Sequence, residues 1–204
     1  RLPPEQTEFA AAVREFAETE IRPVIGDYYE RGVFPADLVR ELGKLGVFGV
    51  TLPEEHGGAE AGLLMLCLAL EEIARVDSSV AVTVEASVTL GAEAIAKFGT
   101  EEQRRRWLPS LAAGEGLCAF ALTEPSGGTD AGRTDTRARL EGGEWVIDGA
   151  KCFITNAGTS MTDLVIATAA TGPDEVSCIA VEPGTPGMEI GPEYSKVGWP
   201  ASHT

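Results

Sequence analysis

Two hydrophobic periods divide the chain near residue 116. Before that point apolar residues return every three or four positions, the spacing that gathers them on one face of an α-helix. Phe9, Val13, Phe16, Ile21, Val24 and Tyr28 follow it, and Pro23 predicts a break or a new first turn because proline has no N–H to donate. Leu38, Leu42 and Leu45 repeat it and stop at Gly46, a suitable helix C′ residue. Residues 62–75, GLLMLCLALEEIAR, are apolar on nearly every side, which predicts a helix in the middle of a bundle. Asp77-Ser78-Ser79 offers an N-cap for a long helix ending at Phe98-Gly99. Thr100-Glu101-Glu102-Gln103 fits a capping box for the next helix, with Trp107, Leu108 and Leu111 as its buried side before Gly114.

After Gly116 the period becomes two. Residues 118–122 read as a strand, and Thr134, Thr136, Ala138 and Leu140 alternate with Asp135, Arg137 and Arg139 as in a half-buried one. Gly142-Gly143 and Asp148-Gly149 are hairpin turn signals around Trp145-Val146-Ile147. Further strands are predicted at 163–169 and 176–181, before the hard turn Pro183-Gly184-Thr185-Pro186-Gly187. The pattern predicts an α+β multidomain chain: an N-terminal all-α helical bundle over residues 1–116, then an antiparallel β-barrel or sandwich over 117–204. About 90 residues is near the lower limit for a closed all-β module, so a natural chain continuing past Thr204 is expected.

Composition narrows the function classes. A net charge of −16, with 16 scattered basic residues, argues against a nucleic-acid partner, so an anionic ligand would need local backbone N–H groups. Cys67, Cys118, Cys152 and Cys178 lie far apart among apolar neighbours, unlike zinc ligands, and read as buried reduced thiols in a cytoplasmic protein. The most apolar stretch, 80–98, carries Glu85, Glu93 and Lys97, so no membrane span is expected. Neither His56 nor His203 has metal-ligand spacing, and no Gly-x-Ser-x-Gly elbow is present.

The chemistry concentrates in two segments, CAFALTEPSGGTD at 118–130 and GAKCFITNAG at 149–158. Gly127 and Gly128 permit positive φ, so successive N–H groups could form a nest for an anionic oxygen, with the Thr129 hydroxyl beside them. A glycine-rich β-turn capped by Asp130 is the competing reading, and spacing alone favours it. Thr123 and Thr155 each end a strand-like run where a hydroxyl could donate to a ring nitrogen or carbonyl, although threonine is frequent in strands for other reasons. Phe153 offers a ring face to a flat heterocycle or a side chain to the core.

Taken in order, these segments resemble the acyl-CoA dehydrogenase family over essentially the whole chain. The helical half contributes ELGKLGVFGVTLPEEHGG at 41–58 and LGAEAIAKFGTEEQRRRWLPSLAAGE at 90–115. The second half contributes CAFALTEPSGGTDAGRTDTRA at 118–138, GEWVIDGAKCFITNAG at 143–158, Lys196-x-Gly198 and Ser202-x-Thr204. The resemblance implies a helical domain, a middle β domain and a further C-terminal helical bundle, with FAD held between subunits of a homodimer or homotetramer. It implies FAD contacts from Phe120, Leu122, Thr123, Gly128 and Thr129 and from Phe153, Ile154 and Thr155. Thr123 would meet the pyrimidine end and Thr155 would lie near N5. Thr129 stands where the family usually has Ser, near the pyrophosphate and the acyl-CoA, and Phe153 where it often has Trp. Thr83, Ser87 and Leu90, on the helix at 77–98, would line the acyl pocket.

The implied activity introduces an α,β double bond into an acyl-CoA, and electron-transfer flavoprotein or a similar acceptor takes the electrons. The implied base is a Glu of the C-terminal bundle, so no carboxylate here is named and this chain alone is expected to be inactive. A non-catalytic homologue of the same architecture, and an oxidase or hydroxylase on the same fold, stand as alternatives.

Overall fold

The structure is a computed structural model describing all residues from Arg1 to Thr204. Its first half is helical: α1 (Pro4–Phe16), α2 (Ile25–Arg31), α3 (Ala36–Lys44), α4 (Leu63–Ala74), α5 (Ser78–Glu85), α6 (Glu93–Phe98) and α7 (Glu101–Ala113). The capping residues act as their chemistry requires. Asp77 Oδ1 accepts from the Val80 N–H at 2.8 Å, and Thr100 and Gln103 exchange the two bonds of a capping box. Gly114 ends α7 at φ +67°, where a Cβ would cost energy.

Two π-helical turns escape the sequence pattern. Ala17–Ile21 extends α1, and Ala86–Ala92 joins α5 to α6. The composite helix Ser78–Phe98 is long and apolar enough to cross a membrane by length and composition, yet 61% of its most apolar window is buried inside the protein. The expectation of a fully enclosed α4 is corrected. Met65, Leu66, Ala69, Glu72 and Ile73 are buried, whereas Leu63 and Leu64 are 64% and 53% exposed, because α4 packs on α1 and α5 from one side only. The buried Glu72 carboxylate receives Arg14 Nε at 2.8 Å and Arg75 Nη1 at 3.0 Å, pinning α4 to α1.

The second half holds β1 (Leu117–Ala121), β2 (Arg137–Glu141), β3 (Glu144–Asp148), β4 (Thr162–Gly172) and β5 (Glu175–Val181) in one sheet. The long β4 is its centre. It runs parallel to β1 over Thr162–Ala167, touches β2 in parallel at Ala170 and pairs antiparallel with β5; β2 and β3 form the hairpin. The sheet is therefore mixed and open, where alternation predicted a wholly antiparallel barrel or sandwich. Alternation reports which face is buried, and it cannot report which distant strand lies alongside.

Sheet and helices meet along one stripe. Thr83, Ser87 and Gly91 recur every fourth residue, facing the start of β1 and the 155–158 turn. Ser87 Oγ accepts from the Cys118 N–H at 3.0 Å, and Asn156 Nδ2 donates to the Thr83 carbonyl at 3.0 Å. A Cβ on Gly91 would stand 2.3 Å from Cys118 Cβ, so only glycine permits that approach. Ala92, Ile95, Leu108 and Leu111 then share a core with Cys118, Leu164 and Ile166.

Candidate functional site

Beyond β1 the chain leaves the sheet and turns tightly. Glu124 and Gly127 exchange backbone bonds, N–H to carbonyl at 2.8 Å one way and 3.1 Å the other. Of the two readings of this loop, the β-turn is the one formed. Neither Gly127 nor Gly128 has positive φ, and the Gly127 N–H is spent inside the turn, so the nest, the reading that spacing disfavoured, is not formed. The N–H groups of Gly128 and Thr129 give nothing to any backbone carbonyl and stay available.

The second loop, between β3 and β4, comes to the same place. The Cys152 N–H donates to the Thr123 carbonyl at 2.9 Å, and Phe153 follows with φ +61° and 64% exposure. A left-handed backbone at a phenylalanine costs about 1–3 kcal/mol and holds only where its surroundings impose it. Its ring lies 5.1 Å from that of Tyr194. An open cleft of about 560 Å³ results, lined by Thr123, Glu124, Pro125, Ser126, Gly127, Gly128, Thr129 and Phe153.

Of the residues singled out from sequence, Thr123, Gly128, Thr129 and Phe153 share this cleft, and the others stand elsewhere. Phe120 packs in the core between sheet and helices, and Ile154 packs against Ala119, Ala121 and Val165. The Leu122 carbonyl accepts from Lys151 Nζ at 3.1 Å, and Thr155 is half-buried in the turn that follows Phe153. Thr83 and Ser87 are fully buried. The Thr83 hydroxyl donates to the Ser79 carbonyl and the Ser87 hydroxyl accepts from the Cys118 N–H. Leu90 alone of that helix set is exposed, at 45%.

Beneath the cleft lies a buried ion pair that sequence reading missed. Lys151 Nζ stands 2.7 Å from Glu124 Oε1, with side chains 11% and 4% exposed. Glu124 also accepts from the Asp135 and Thr136 N–H groups at 2.5 and 2.9 Å and from the Thr134 hydroxyl. Burial alone would raise the Glu124 pKa, but these donors reverse the sign and hold it well below the usual carboxylate range. Such a carboxylate is a poor proton acceptor, so the one buried acid at the cleft does not serve as a general base.

Comparisons with known proteins fit this architecture. The family model of the acyl-CoA dehydrogenase N-terminal domain matches residues 3–115, and that of the middle domain matches residues 119–204. The chain belongs to the acyl-CoA dehydrogenase family. An acyl-CoA dehydrogenase of Bacillus subtilis is 39% identical over 98% of this chain and 53% of its own length. Butyryl-CoA dehydrogenase from Megasphaera elsdenii superposes with a TM-score of 0.92 at 35% identity, over 100% of this chain and 55% of that one. A glutaryl-CoA dehydrogenase from Mycobacterium smegmatis, solved in complex with FADH2, gives 0.92 at 33% identity over 99% of this chain and 51% of its own. The chain thus spans about half the length of the relatives it matches.

Proposed function

We propose that this chain forms the helical and middle domains of a FAD-dependent acyl-CoA dehydrogenase, which introduces an α,β double bond into an acyl-CoA thioester. The observation that carries the reading is the convergence of the 123–129 turn and the 151–153 loop on one cleft. The residues present fit the cofactor. Gly128 passes so close to Thr123 that a Cβ would meet its Oγ1 at 3.0 Å, and the free Gly128 and Thr129 N–H groups with the Thr129 hydroxyl suit a pyrophosphate.

Thr123 has a hydroxyl for a ring carbonyl or nitrogen, and the exposed Phe153 ring has a face for a flat heterocycle. Phe120, Leu122 and Ile154 support these residues by packing and through the backbone. Thr155 is assigned to the reactive edge of the ring by resemblance. When bound, FAD would supply a hydride acceptor for the substrate β carbon, and the resemblance assigns removal of the α proton to a Glu of a C-terminal helical bundle. Closure of the open sheet into a barrel, a C-terminal helical bundle, a homodimer or homotetramer, electron-transfer flavoprotein as acceptor and a cytoplasmic location belong to the same reading.

Anaerobic titration of the intact, FAD-loaded protein with acyl-CoAs of increasing length tests it. Bleaching of the flavin band by one length class is expected. A flavin that stays oxidised with every acyl-CoA would overturn the dehydrogenase assignment.

A further inference from the structure

We infer that Glu124 and Lys151 are positioning residues that set the shape of the FAD cleft, an inference that rests on the function proposed above. The three N–H donors of Lys151 Nζ are shared among four acceptors within reach, the Leu122 carbonyl at 3.1 Å, Glu124 Oε1 at 2.7 Å, Thr134 Oγ1 at 3.2 Å and Thr168 Oγ1 at 2.9 Å. Glu124 reaches the other way, to Thr134, Asp135 and Thr136, where the chain enters β2. One ammonium and one carboxylate therefore join the two ends of the exposed 123–136 excursion to β4 and to the loop that presents Phe153.

Backbone bonds tie its two extremities, Cys152 N–H to the Thr123 carbonyl at 2.9 Å and Ala170 N–H to the Thr136 carbonyl at 2.8 Å, but little holds the stretch between them. Pro125, Ser126, Gly127, Thr129, Asp130, Ala131, Gly132 and Arg133 are exposed, and the backbone bonds within it are the Glu124–Gly127 exchange and Arg133 N–H to the Asp130 carbonyl at 3.0 Å. Apolar residues of similar volume often stabilise a core as well as a buried ion pair does, so stability alone does not account for a pair at this position. Geometry does. With both charges satisfied by directional bonds, the turn has one arrangement, and its free N–H groups are held in place before a ligand arrives.

The test uses the intact protein, stripped of flavin and titrated with FAD. Glu124→Gln and Lys151→Met each leave a buried group without its partner. The deciding variant is the double substitution E124Q/K151M, which leaves no unpaired buried charge and is expected to melt within a few degrees of the parent. It is expected to bind FAD at least tenfold more weakly. Without flavin, it should be cut by trypsin after the exposed Arg133 at least fivefold faster. A double variant with parental melting, parental FAD affinity and parental cleavage would overturn the inference.

Should the double variant fail to fold, Lys151→Arg keeps the charge and moves the donors. A three- to tenfold loss of FAD affinity at unchanged melting supports positioning, and parental affinity overturns it. The flavin-free cleavage rates separate the two claims. If the parent takes up no FAD, the proposed function fails, while the rate after Arg133 still decides whether the pair orders the excursion.

Discussion

Replacing Gly128 with alanine separates cofactor binding from folding. The new Cβ would stand 3.0 Å from Thr123 Cγ2 and Oγ1 and 3.4 Å from Thr123 Cβ, so the threonine must give by a few tenths of an ångström. Gly128 lies outside the left-handed region, so alanine can adopt its backbone, and the stiffer unfolded chain favours the variant by about 0.4–1 kcal/mol. Crowding opposes this by about 1–3 kcal/mol in a packed core, and by less here because Thr123 is half-buried beside an open cleft and can turn away. The two effects nearly cancel, and the melting temperature should move by no more than about 4 °C.

Affinity takes the remaining cost. A Thr123 side chain that has turned away would lose the hydrogen bond to the flavin proposed for it, worth about 1–1.5 kcal/mol, and at 1.4 kcal/mol per decade FAD should bind about five- to twelvefold more weakly. Flavin fluorescence titration with thermal melting of the same samples reads both quantities. Thr123→Ser combined with Gly128→Ala removes the crowding methyl and should recover most of the affinity. Parental FAD affinity in Gly128→Ala alone would refute the reasoning, because the cleft would then tolerate a displaced Thr123.

Three further outcomes are expected. Gly91→Ala drives a Cβ to 2.3 Å from Cys118 Cβ, so it should destabilise by about 1–3 kcal/mol in thermal or urea unfolding; an unchanged midpoint would mean the helix–sheet seam is looser than described. Folding depresses the pKa of Glu72, through its Arg14 bond first, and that of Glu124, whose bonds from Lys151 and its neighbours outweigh burial. Their contribution is complete above the ordinary carboxylate range near about pH 4.3 and is lost as pH falls through the lower folded values. Melting temperature should therefore drop between about pH 5 and pH 3, and less steeply in Glu124→Gln than in the parent; equal slopes would contradict this linkage. Of the four cysteines expected to be buried only Cys118 is, Cys67 and Cys178 being exposed; burial pushes the Cys118 thiol up to about 12, so iodoacetamide at about pH 8 should label Cys67 well before Cys118, as peptide mass mapping would show. Equal labelling of the two would contradict the seam.

Local chemistry was the legible part of the fold. The Asp77 cap, the Thr100 capping box and the Gly114 stop depend on neighbours within a few residues, and each forms as its residues require. Parallel pairing of β1 with β4 joins residues some 45 positions apart, and nothing in either strand's alternation encodes it. The apolar run of α4 predicts burial on all sides, but hydrophobicity cannot state how many neighbours the fold supplies. The π-turn at Ala86–Ala92 likewise arises where the helix meets β1 through Ser87 and Gly91.

At the cleft, the glycine pair and the aromatic were legible as residue types, but their conformations were not. Gly127 and Gly128 take ordinary backbone angles, while Phe153 and Asn156 adopt the positive φ expected of glycine, at +61° and +69°. Asn156 is fully buried, with its side chain donating to Thr83, which accounts for its conformation; the strain at Phe153 coincides with its exposure at the cleft. The Glu124–Lys151 pair was hidden by a separation of 27 residues. The available signal was no more than an acid at the first position of the glycine turn, three residues past β1.

Equilibrium uptake of FAD by the purified intact protein, followed by its visible spectrum, tests the central claim most directly. Stoichiometric binding with an oxidised-flavin absorption band, weakened by Gly128→Ala, is the predicted result. A colourless protein that takes up no added FAD would contradict the account of the cleft.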